Sequence, residues 1–82
     1  MSKNWPKPII IALGEKNENV LINSTEAASW AMIEDWPVED GPELDKALLI
    51  FADVVRGKRP DEEARAAFLQ AVKEAGITIV QQ

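Results

Sequence analysis

Six carboxylates and no basic side chain fall between Glu34 and Asp45: Glu34, Asp35, Glu39, Asp40, Glu43 and Asp45. Hard cations such as Ca²⁺ and Mg²⁺ are held by several oxygens converging from a loop, so the run is a candidate for such chemistry. The spacing lacks the Asp-x-Asp-x-Asp-Gly pattern and distal Glu of an EF-hand. Glu39, Asp40 and Glu43 also precede or open a helical stretch, where the positive end of the helix dipole favours negative charge. The residues therefore predict a solvated acidic loop without a bound metal.

Paired carboxylates can also act as acid and base in glycoside hydrolysis, but only within a cleft that raises one pKa. Other chemistries lack their residues. The chain has no histidine and no cysteine, which removes the commonest general base and all thiolate chemistry. No Ser-x-x-Lys occurs, and no two of the four glycines form a Gly-x-Gly phosphate loop. The expectation is a non-catalytic chain with no cofactor.

Arg56, Lys58 and Arg59 form the one basic cluster. They follow a helical stretch, where cations complement the dipole, and they sit close to Asp61, Glu62 and Glu63. With fourteen acidic against nine basic residues, the net charge is −5, which repels phosphate backbones and anionic lipid surfaces. Neither a nucleic-acid nor a membrane partner is expected. The longest apolar run near the start, Ile9 to Leu13, is too short for a signal sequence or a span, which predicts a cytoplasmic protein.

Three tryptophans are the more informative residues. Each offers a large apolar surface with one polar handle. Trp36 beside Pro37 and Trp5 beside Pro6 can close the ends of a core. Alternatively, Trp5 and Trp30 belong to an interface, where Trp is a favoured anchor, or Trp5 and Trp36 line a small-ligand pocket.

These side chains need a scaffold. The 82 residues predict one domain over 1–82, with 1–7 as a loose N-terminal arm kept extended by Pro6 and Pro8. Ile9 to Leu13 and Val20 to Ile22 read as a hairpin about the polar turn Gly14 to Asn19. A helix starts at Asn23 to Glu26, with Asn23 or Ser24 as cap, and buries Ala28, Ala31 and Met32. Pro42 to Gly57 is the longest amphipathic segment and is expected to be the central helix, with Leu44, Ala47, Leu48, Phe51, Val54 and Val55 on its inner stripe. A third helix, capped by Asp61, buries Ala64, Ala67, Phe68, Ala71 and Val72, and Gly76 ends it. Ile77 to Val80 supplies a last strand. The class is α+β in the order β-β-α-α-α-β: a small, mostly antiparallel sheet, made of the hairpin plus the C-terminal strand, packed on three helices.

Several of these elements together carry a resemblance. They are Trp5 and Pro8 before the first strand, Ser24 with Glu26-Ala27-Ala28, Trp36-Pro37 with Gly41, Ala64-Arg65-Ala66-Ala67-Phe68, and Glu74-Ala75-Gly76-Ile77. In them the chain resembles a family of short, single-domain bacterial proteins of unknown function, seen mainly in soil and plant-associated proteobacteria. The resemblance implies a one-domain α+β fold and brings no activity, cofactor or site residue.

Apolar residues in excess of one core supply the functional expectation. The first strand is apolar on both faces, and Leu49 and Ile50 lie off the main helical stripe. A small domain gains stability by burying such surface in a second copy, so a self-associating homodimer is expected, with Trp5, Trp30, Ile10, Leu49 and Ile50 as interface candidates. The alternatives are a small-molecule-binding or sensory domain with a Trp-lined pocket, and an accessory subunit of an enzyme.

Overall fold

The computed structural model describes residues 4–82. The order is β1 (Asn4–Leu13), β2 (Glu18–Ser24), α1 (Thr25–Glu34), α2 (Pro42–Val55), α3 (Asp61–Ala75) and β3 (Thr78–Gln81). The sheet has the order β2-β1-β3, and both pairings are antiparallel. This is the α+β class and element order expected from the sequence.

β1 is the middle strand, which explains its apolar residues on both faces. Ile9, Ile11 and Leu13 point into the core with Ile22, and the three helices cover that side. Ile10 and Ala12 point the other way. Residues 4–7 belong to β1, so the expected loose arm is not found there; residues 1–3 of that arm lie outside the described residues. Trp5 anchors this part of the strand, with only 4% of its surface exposed.

The helical layer is centred on α3 and not on α2. Ala64, Ala67, Phe68, Ala71 and Val72 of α3 are all buried, whereas α2 buries only Leu44, Ala47 and Phe51. Three alanines explain the difference, because small side chains let α3 approach its neighbours closely on more than one side. Leu49, off the main stripe, is 71% exposed, and two residues expected on the inner stripe are exposed as well, Leu48 at 41% and Val55 at 76%.

The helix ends follow local chemistry. Ser24, not Asn23, caps α1: its Oγ accepts from the Ala27 amide at 3.0 Å. Asp61 is the first residue of α3 and not its cap; Pro60 holds that position. Gly57 and Gly76 both adopt positive φ just past a helix, where each amide and the next one bond back to the last turn.

The N-terminus of α2 is capped from a distance. Gly41 precedes it without a capping side chain. The Glu74 carboxylate of α3 takes over, accepting from the amides of Glu43 at 3.0 Å and Leu44 at 3.2 Å. A Cβ at position 41 would collide with that carboxylate. Gly41→Ala should therefore displace the cap and lower stability by about 1–2 kcal/mol, the usual worth of an N-cap. Urea denaturation should show Glu74→Ala losing a similar amount and the double variant losing little more, because both act on one interaction.

Candidate functional site

Two clefts meet where α3 begins. A larger one, about 890 Å³, runs between α1 and the α2–α3 turn. Trp30 and Ile33 of α1 face Val54 and Val55 of α2 across it. Trp30 is 54% exposed, and Ile33 and Val55 are more open still. A smaller cleft, about 470 Å³, lies between Trp5, Lys7 and the Arg65 and Leu69 side of α3. Pro6, Asp61 and Glu62 line both.

A relay, buried at Trp5 and Thr25 and partly exposed at Asp61, joins the elements at this junction. The Trp5 Nε1–H of β1 donates to Thr25 Oγ1 at 3.2 Å, and the Thr25 hydroxyl donates to Asp61 Oδ1 at 3.5 Å. Thr25 is placed for this because Ser24 starts α1 one residue earlier and pairs with Asn4 of β1. The strand, the first helix and the third helix are thus tied by one indole and one hydroxyl. Arg65 adds a second tie, donating through Nε to the Lys7 carbonyl at 2.9 Å.

Charge around the larger cleft is uneven. Among the described residues, Glu26, Asp61 and Glu62 line it against one cation, Arg59. That guanidinium is already occupied by Asp53 at 2.9 Å and Glu63 at 2.8 Å. The hydrogen bond from Arg59 holds the Asp53 carboxyl below its ordinary value, with the nearby charges of Arg59, Lys58 and Arg56 acting in the same sense. The same bonds, to Asp53 and then Glu63, raise the Arg59 pKa. This turn cluster is solvent-exposed and serves to close the end of α2 onto α3.

The residues singled out from the sequence separate into core and surface. Trp5 is buried and makes no exposed anchor. Trp5 and Trp36 do not face a shared pocket: both pack on Phe68 with tilted rings, centroids 6.0 and 5.7 Å away, Trp5 within the core and Trp36 half-buried against it. Ile50 is half-buried against that core. Trp30 and Leu49 are exposed as expected, but they lie on different helices. Ile10 sits on the outer face of the sheet. Among the described residues, no three acidic side chains gather as they would around a metal ion.

Sequence reasoning missed the cleft beside Trp30, the Trp5–Thr25–Asp61 relay and the Glu74 cap. The relay and cap link residues 20 to 36 positions apart, which no local spacing reveals.

The outer face of the sheet is the other feature of note. Ile10 pairs with Leu21 and Ala12 with Asn19 and Thr78. With Val80 these side chains form a face that, among the described residues, no helix covers and no charged side chain joins. Leu21 and Val80 are about half exposed.

No curated protein and no solved structure matches the chain. A family model described as "Protein of unknown function (DUF982)" matches residues 7–79, a span that takes in β2, all three helices and parts of β1 and β3. With nearly its whole length matched in this way, the chain belongs to the DUF982 family of proteins of unknown function.

Proposed function

We propose that the protein is a non-catalytic interaction module of the cytoplasm that works as a homodimer, paired through the outer face of its sheet. The observation that carries this reading is the uncharged, uncovered face made by Ile10, Ala12, Asn19, Leu21, Thr78 and Val80. In a two-fold dimer each surface meets its own copy, so a charged patch is opposed by the same charge. For a chain of net charge −5, that disfavours the faces around the acidic loop and the cleft. The sheet face escapes the penalty and offers β-branched and leucine side chains to bury.

Strands about 4.8 Å apart with a rise of about 3.3 Å per residue give this three-stranded face a span of roughly 15 by 20 Å. At roughly 600 Å² for the two copies together this lies below the usual size of a stable specific interface, so the pairing is a weak, exchanging one. Leu21→Asp tests the reading without touching the core. Sedimentation equilibrium between about 5 and 500 μM should show a monomer–dimer transition for the unaltered protein and a monomer throughout for the variant, with unchanged circular dichroism. A compact monomer over the whole range for the unaltered protein would overturn the reading.

A further inference from the structure

We infer that the cleft beside Trp30 binds a basic, apolar peptide segment of a partner protein. The inference rests on the reading of the protein as an interaction module, but not on the sheet dimer. The cleft couples two features that a cationic segment needs. One is apolar: Trp30, Ile33, Val54 and Val55 form walls wide enough, at about 890 Å³, for several side chains. The other is electrostatic. Glu26, Asp61 and Glu62 line it, none of them has a salt-bridge partner among the described residues, and the one lining cation is committed to Asp53 and Glu63.

Among the described residues, the rim therefore carries negative charge with no matching salt bridge. Arg56 and Lys58 flank Gly57 but do not line the cleft. A guanidinium entering here meets carboxylates on one side and the half-exposed Trp30 ring on the other, which can hold it by cation–π attraction. Its apolar neighbours would cover Ile33 and Val55. An acidic segment would be repelled, and a second copy of this net acidic chain is opposed by the same charge.

An acetylated, amidated Leu-Arg-Leu-Arg-Leu peptide and its Glu counterpart are the probes, titrated into ¹⁵N-labelled protein. The basic peptide should shift the Trp30 indole N–H signal saturably and leave that of core-packed Trp36 in place. Glu26→Gln with Glu62→Gln should weaken binding at least five-fold at low salt, and Trp30→Ala should weaken it further. Binding should persist in Leu21→Asp, so failure of the dimer and failure of the cleft are read separately. Four results would overturn the inference: equal binding of the acidic peptide, unchanged affinity in the Gln variant, equal affinity for arginine amide alone, or a Trp30 signal that moves with protein concentration alone.

Discussion

Phe68→Ala is expected to leave most of the molecule unfolded at 25 °C. Phe68 is fully buried, and the rings of Trp5, Trp36 and Phe51 lie around it at 6.0, 5.7 and 6.4 Å between centroids. Removing a buried Phe costs about 3–5 kcal/mol, the sum of lost transfer energy and the cavity left behind. Here the cavity would open between the helices and Trp5 of β1, so little of it can collapse. A single core this small rarely supplies more than about 3–5 kcal/mol, so the loss is as large as the whole stability. Urea denaturation should show the transition almost gone, while Phe68→Leu, which keeps most of the buried area, should lose about 1–2 kcal/mol.

Trp5→Ala should come next in severity, at about 3–5 kcal/mol. A tryptophan on a loose arm would cost nothing to truncate, so this variant separates the two pictures of the N-terminus sharply. Trp5→Phe refines the test. It keeps a ring on Phe68 but removes the indole donor to Thr25, and a loss of about 1–2 kcal/mol is expected for a buried hydroxyl left with one partner fewer. If thermal melts of both variants matched the unaltered protein, the anchoring of β1 through Trp5, Thr25 and Asp61 would be wrong.

The two tryptophan expectations show why the fold was more legible than its surface. Strand and helix periodicity, Pro42 and the glycines at 57 and 76 are local signals, and the elements appeared within a few residues of where they placed them, except that β1 begins at Asn4 and not at Ile9. Trp5 carried no such signal. The segment around it, with Pro6 and Pro8, reads as a loose arm even though Trp5 itself can close the end of a core, and the pairing of Asn4 with Ser24 is what fixes it there. The centre of the helical layer was misplaced for a related reason. α2 has the richer apolar stripe, but depth of burial depends on how closely neighbours approach, and the alanines of α3 decide that. Leu49 and Ile50, both off the main stripe, differ for the same reason: Leu49 is bare, while Ile50, one residue away, is half-buried against the core.

The candidate sites were less legible because they are assembled from distant residues. Trp30 was marked as exposed, but its company of Val54, Val55, Asp61 and Glu62 depends on how the α2–α3 turn folds back toward α1. The acidic loop followed its sequence reading in one respect: Glu43 does open α2. The charge that caps that helix, however, comes from Glu74, 31 residues away. The bare face of the sheet was half visible, since β1 is apolar on both sides. Its freedom from charge became apparent only once the register set Leu21 opposite Ile10 and Asn19 opposite Ala12.

That face carries the central claim, and intermolecular contacts test it most directly. In a sample at about 0.5 mM mixing isotope-labelled and unlabelled protein, a weak, exchanging dimer is well populated. An isotope-filtered nuclear Overhauser experiment should then show contacts between the methyl groups of Ile10, Leu21 and Val80 on different chains. Contacts that instead join Leu49, Trp30 or Ile33 between chains, or none at all at this concentration, would contradict it.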